Sequence, residues 1–175
     1  EIQRHIDERT RIVCDAGYST AWAVDQLRVK RGRRFLGPMG YGTMGYGLPA
    51  AIGAKLADPD SRVICISGDG GIGFSLAELE TAARYGIGVT TVIFNNSGLG
   101  WSRHYNRKYY GYEGETEFST VDYGAVARGL GCSGVHATSA AELSDALDAA
   151  LGSEAPWLID VEIDPETRPP VAMFG

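Results

Sequence analysis

Two short stretches carry side chains that could grip an ion together: Asp69 inside the glycine run 68–71, and Asn95 and Asn96 followed by Gly98. Gly68, Gly70 and Gly73 have the GxGxxG spacing of a turn that cradles phosphate between a strand and a helix. Asp69 at its tip argues against a bare phosphate, because a carboxylate ~4 Å from a phosphate oxygen repels it by about 4 kcal/mol at an effective dielectric of ~20. A dinucleotide site would also want an acid for the ribose hydroxyls at the end of the second strand, where "VTTVIFNN" ends in amides. Gly40, Gly42 and Gly45 repeat the spacing, so the pattern alone is weak. A divalent cation removes the conflict. Mg²⁺ takes hard oxygens and commonly joins one or two protein ligands to substrate phosphates. Asp69 at one strand end and the Asn96 side-chain oxygen at a neighbouring one would hold the metal, and the metal would hold the phosphates.

The elements that must position these groups alternate along the chain. Apolar runs at 11–15, 34–37, 62–67, 89–95, 133–137 and 157–163 read as strands, and 19–27, 47–57, 75–86, 121–131 and 139–152 as helices. That alternation predicts an α/β fold, a doubly wound parallel sheet with helices on both faces. Ser75 with Glu78, and Ser139 with Glu142, have capping-box spacing and are expected to start their helices. Residues 98–120 are polar, aromatic and longer than a simple connection, and read as an irregular loop.

At 175 residues the chain makes a single domain. The net charge of −6 opposes nucleic-acid binding, which draws on surplus Lys and Arg. Arg103, Arg107 and Lys108 among tyrosines suggest an RNA-stacking patch only until Glu113, Glu115 and Glu117 are counted; a lid, or a surface ordered by dimerisation, fits better. No apolar run reaches the ~18 residues of a membrane span, so no membrane partner and a cytoplasmic location are expected. The three dispersed cysteines point to a reducing compartment, with Cys14 and Cys65 as core fillers.

"GDG", then 24 residues, then "NN" resembles the thiamine diphosphate signature, and "GPMGYGTMGYGLPAAIGAKLADPDSRVICISGDGG" (37–71) resembles the glycine-rich stretch leading into it. From about residue 10 to 163 the chain is similar to the C-terminal cofactor-binding domain of acetolactate-synthase-like enzymes. The resemblance implies a domain that binds thiamine diphosphate and Mg²⁺ for decarboxylation of a 2-keto acid, with possible ligation to an acceptor. Asp69, Asn96 and the Gly98 carbonyl would be metal ligands. Gly17, Tyr18 and Ser19, with Gly68, Gly70 and Gly71, would surround the diphosphate, and Leu99 and Gly100 would complete the cofactor loop. Met44 would bend the cofactor, and Gly42 would offer its carbonyl to the aminopyrimidine; these two are the catalytic assignments.

The resemblance also implies a glutamate from a pyrimidine-binding domain, for which this chain offers no candidate. Asp15 and Glu78 are placed near the cofactor end of the sheet, but Glu78 reads as a cap. The chain starts at Glu1 without a methionine, so a piece of a longer enzyme or one subunit of a split enzyme is expected, inactive alone and active as a homo-oligomer. Trp101 and Tyr105 stand where acetolactate synthases resemble one another in placing methionine and tryptophan, so a related decarboxylase or carboligase fits nearly as well. His104 reads as a solvated bystander in its loop. The rivals are a non-catalytic cofactor-holding module and a nicotinamide oxidoreductase.

Overall fold

In the computed structural model, which describes residues 1–29 and 34–170, the apolar runs form β1 (Thr10–Cys14), β2 (Phe35–Leu36), β3 (Arg62–Gly68), β4 (Val89–Asn95), β5 (Ser133–Ala137) and β6 (Trp157–Glu162). All pair in parallel, in the order β2-β1-β3-β4-β6-β5. The expected doubly wound sheet is therefore present. From β1 the chain crosses first to β2 on one side, then to β3 and β4 on the other. Loops leaving β1 and β3 diverge there, opening a crevice at the carboxyl ends of the strands.

The helices are α1 (Tyr18–Gln26), α2 (Gly47–Ala57), α3 (Asp69–Ile72), α4 (Glu78–Arg84), α5 (Gly100–Tyr110), α6 (Tyr123–Gly129) and α7 (Ala140–Leu151). Strand side chains alternate between two cores. Val13, Val63, Cys65 and Ile93 pack with Leu48, Leu79 and Ala127 of α2, α4 and α6; Ile12, Ile64, Ile66 and Ile159 pack with Ala23 and Leu147 of α1 and α7. Each fully buried aliphatic side chain contributes ~1.5–3 kcal/mol. All three cysteines are free and buried. Burial pushes the Cys14 and Cys132 thiols up to about 12 and about 11, which suits packing and opposes nucleophilic use.

Two expectations need correction. The helix placed at 75–86 runs Glu78–Arg84, and no side chain caps it. The buried Ser75 hydroxyl has no hydrogen-bond partner. The chain has already turned at Asp69, through α3 and a series of tight turns in which Phe74 N donates to Gly71 O and Ser75 N to Ile72 O. The second capping site behaves differently: Ser139 Oγ accepts from Glu142 N at 3.2 Å, while the Glu142 carboxylate accepts from Thr138 N at 2.7 Å. The other correction concerns 98–120, where α5 occupies Gly100–Tyr110 and stops at Gly111, whose φ is +74°. Its buried residues are Gly100, Arg103 and His104, so it shows none of the apolar stripe that marks a packed helix.

Asp160 on β6 sets the end of β4. It is fully buried and accepts from Asn95 Nδ2 at 3.0 Å, Tyr123 N at 3.1 Å and His136 Nδ1 at 3.0 Å. Asn95 is thus turned into the fold, and its Oδ1 also accepts from Ser97 N at 3.1 Å. The hydrogen bond to Asp160 raises the His136 pKa above its ordinary 6.5. A group with a raised folded-state pKa contributes stability that is complete below the unfolded value and is lost as pH rises through the folded one. Urea unfolding should therefore show the protein losing stability relative to His136→Gln as pH rises above the ordinary histidine value of 6.5; parallel curves there would contradict this role.

Candidate functional site

The crevice between β1 and β3 opens into a cavity of ≈ 810 Å³, within the ~300–1,000 Å³ range of small-molecule sites. Four chain segments converge on it. Gly17, Tyr18 and Ser19 come from the β1–α1 turn, Gly42 and Met44 from the glycine-rich loop, Gly68, Asp69, Gly70 and Gly71 from the end of β3 and α3, and Asn96, Gly98, Leu99 and Gly100 from the loop after β4. Every residue named from the sequence for cofactor or metal thus lines this one cavity.

Asp69 is 3% exposed, and its Oδ2 accepts from Gly98 N at 2.7 Å, which draws the β4 loop against the β3 end. Burial pushes its carboxyl up to about 6, against the lowering effect of the Gly98 and Gly70 N–H groups. A buried carboxylate with so few donors is stabilised by a cation. Between the two strand ends Ser97 holds φ +52°, an uncommon conformation for a residue with a side chain, and it brings Asn96 and Gly98 round to the cavity. Among the described residues no group of three His, Cys, Asp or Glu side chains forms a metal site. The donors here are one carboxylate, one amide and backbone, the set expected for Mg²⁺ shared with phosphates.

On the opposite wall, α1 begins at Tyr18 with no side chain capping it, and its N-terminus borders the cavity, the end of a helix that favours an anion. Close approach explains Gly70: a Cβ there would lie 2.6 Å from Leu99 Cδ2 and 3.3 Å from Met44 Cε, which also places Met44 over the glycine turn. The donors and shape therefore fit a diphosphate-bearing cofactor with its metal.

Asp15 has a larger part than its sequence position suggested. It is fully buried. Its carboxylate accepts from Ala16 N at 2.7 Å, Gly45 N at 3.0 Å and Gly47 N at 3.2 Å, and from Ser67 Oγ at 3.4 Å. It thus ties β1, β3 and the segment that follows Met44 together. The available signal was an acid directly after a buried strand, followed by glycine-rich segments that offer bare amides.

His104 also departs from expectation. It is 1% exposed, and its Nδ1 lies 2.9 Å from the Tyr18 hydroxyl, so it is a buried partner of the site's own tyrosine. Arg103 is buried too, and Arg107 is bound by Glu113 at 2.6 Å and Glu166 at 2.6 Å, so these cations of the aromatic stretch serve internal ion pairs. No helix of the described residues is long and apolar enough to cross a membrane.

Residues 15–161 match the family model described as "Thiamine pyrophosphate enzyme, C-terminal TPP binding domain". The chain is 38% identical over 165 residues to a Methanococcus aeolicus protein named "Probable acetolactate synthase large subunit", a match covering 93% of this chain and 28% of that protein. It is 35% identical to the acetolactate synthase isozyme 2 large subunit of Escherichia coli, covering 87% and 28%. To the acetolactate synthase large subunit of Parasynechococcus marenigrum it is 39% identical, covering 87% and 25%. The chain thus spans under a third of the length of each of these relatives.

Removing the Asp15 carboxylate would orphan several buried amides, and bonds to a charged group contribute ~1.5–3 kcal/mol each. Asp15→Ala should lower the melting temperature by several degrees and speed hydrogen exchange at Gly45 and Gly47, with Asp15→Asn intermediate. Unchanged exchange at those two glycines would show that the Met44 turn stands without it.

Proposed function

Since the chain belongs to the family of C-terminal thiamine pyrophosphate-binding domains of thiamine pyrophosphate enzymes, we propose that the β1/β3 cavity holds thiamine diphosphate through Mg²⁺, within an acetolactate-synthase-like enzyme acting on a 2-keto acid. The observation that carries this reading is Asp69: a buried carboxylate inside a phosphate-type glycine turn, joined to the Asn96–Gly98 loop by the Gly98 N–H.

Asp69, the Asn96 side chain and the Gly98 carbonyl would hold the metal. The α1 N-terminus and the Gly70 and Gly71 amides would face the diphosphate. When bound, the cofactor supplies the carbanion-stabilising chemistry that decarboxylation and carboligation require. The protein's part is position: Met44 would wedge the cofactor's conformation, and the Gly42 carbonyl would accept from its aminopyrimidine. Burial around Asp69 keeps water from competing for the metal.

Completion of the site requires a second domain. Among the described residues no glutamate lines the cavity. Met39, Tyr41 and Phe74 stand 70%, 101% and 73% exposed around the glycine-rich loop, an apolar rim that suits coverage by another domain. We assign that cover to a pyrimidine-binding domain, from the rest of a longer chain or from another subunit of a homo-oligomer, and place the enzyme in the cytoplasm. The 175-residue chain is then one domain that binds but does not turn over unaided. Trp101 lines the cavity, so the choice of keto acid and acceptor would be set by a pocket with an aromatic wall there.

Calorimetry on the full-length protein tests this directly. Thiamine diphosphate should bind only with Mg²⁺, NAD should give no heat, and Asp69→Ala or Asn96→Ala should weaken cofactor binding at least tenfold, about 1.4 kcal/mol. Metal-independent binding, or parent-like affinity in both variants, would refute the assignment.

A further inference from the structure

The candidate anion site has two halves carried by different helices. The α1 N-terminus opens at Tyr18, and the Asn96–Leu99 loop runs straight into α5 at Gly100. Among the described residues no backbone hydrogen bond joins α1 to α5. Side chains join them instead. The Tyr18 hydroxyl lies 2.9 Å from His104 Nδ1. The Tyr18 ring packs with its centroid 5.4 Å from Trp101 and 5.6 Å from His104, residues three apart on one face of α5.

The packing continues into the metal loop. A Cβ on Gly100 would come 2.6 Å from Asn96 Nδ2 and 3.4 Å from Tyr18 Cδ2. The Asn96 amide, the Gly100 backbone and the Tyr18 ring therefore form one close-packed layer. A rotation of the Tyr18 ring would disturb the residue expected to hold the metal.

His104 is a costly choice for a position that is 1% exposed. Its Nε2 finds no partner among the described residues, so the bond to Tyr18 is what offsets the burial of the ring. An apolar side chain would pack there without that penalty. What histidine adds is a directional bond to a residue at the mouth of the diphosphate half of the site.

We infer that His104, through its hydrogen bond to Tyr18, is a positioning residue that fixes the 96–100 loop against the N-terminus of α1, so that metal and diphosphate bind as one coupled unit. The inference rests on the reading of the cavity as a magnesium–diphosphate site. Coupling here is the factor by which Mg²⁺ tightens diphosphate binding. Loosening the link leaves each half able to hold its own ion but removes their alignment.

The experiment measures that factor on the full-length protein by calorimetry, with thiamine diphosphate and with inorganic pyrophosphate, each with and without Mg²⁺. Tyr18→Phe keeps the ring and deletes the bond; His104→Leu deletes it from the other side; His104→Gln can remake it. Tyr18→Phe and His104→Leu should each lower the coupling factor by about fivefold to tenfold, and in His104→Leu, whose side chain lies outside the cavity wall, metal-free pyrophosphate binding should stay at the parent value. The double variant should lose no more than the worse single variant, and His104→Gln should recover most of the factor. If His104→Leu does not fold, Tyr18→Phe decides alone. Full coupling in Tyr18→Phe overturns the inference. So does an equal loss with and without metal accompanied by a lower melting temperature, which would mark the pair as structural only. No coupling in the parent would overturn both the inference and the reading of the site, whereas coupling that the parent shows and the variants keep overturns the inference alone.

Discussion

The buried Asp15 carboxylate is the constraint around which the cofactor end of the molecule is arranged. An ionised carboxylate withdrawn from water costs several kcal/mol unless its oxygens find donors. Here the donors are the amides of Ala16, Gly45 and Gly47, with the Ser67 hydroxyl beside them. Those donors sit on β1's exit, just after Met44 and near the end of β3. Once the acid is placed by β1, the three segments can satisfy it only by meeting at the topological switch point. The crowding there is tight: a Cβ at Gly47 would lie 3.0 Å from Asp15 Cβ, and one at Gly71 would lie 3.1 Å from Asp15 Cγ. The glycines are what allow backbone amides to approach the acid.

Two aspartates stand at neighbouring strand ends, and their surroundings divide their work. Asp15 is saturated by its own chain and is absent from the cavity wall. Asp69 lines the cavity and accepts from Gly98 N at 2.7 Å, with burial pushing its carboxyl up to about 6. The first carboxylate is spent on architecture. The second keeps coordinating capacity, which is what a metal ligand needs. The asparagines divide in the same way: Asn95 is bound into the fold by Asp160 and Ser97, while Asn96 faces the cavity.

How much of this was legible depended on the kind of signal. Strands β3 and β4 are dense β-branched runs, and their positions follow from the sequence to within a residue. The GDG and NN stretches identified the strand ends that converge, because an acid in a phosphate-type turn demands an electrostatic explanation. Serine 75 misled, since its hydroxyl is a cap only if the helix starts there, and glycines 70, 71 and 73 let the chain begin turning at Asp69. Helix α5 escaped because its buried face holds arginine and histidine, whose burial depends on partners remote in sequence: Glu113 for Arg103 and Tyr18 for His104. No periodicity of hydropathy reports such pairings. The Asn95–Asn96 distinction was hidden for the same reason, being decided by Asp160, 65 residues beyond Asn95.

The distribution of chemical groups also supports the proposed complement. The walls toward β1, β3 and β4 offer amides, one carboxylate and one amide side chain, a set suited to a metal and an anion, in which the Asp69 carboxylate is the proposed metal ligand. His104 is close, yet its exposed surface is nil in practice and its Nδ1 is committed to Tyr18, so it acts on alignment and not on a reacting atom. General acid–base work requires a group within hydrogen-bond reach of the proton it moves. In the proposed assembly such a group would arrive across the open side, where Met39, Tyr41 and Phe74 stand exposed around the loop that carries Met44. On that reading, a domain that invests its buried polar groups in holding the cofactor's charged end would gain a rigid seat for it, and the cost would be that reactivity at the other end is conferred by whatever closes over that rim.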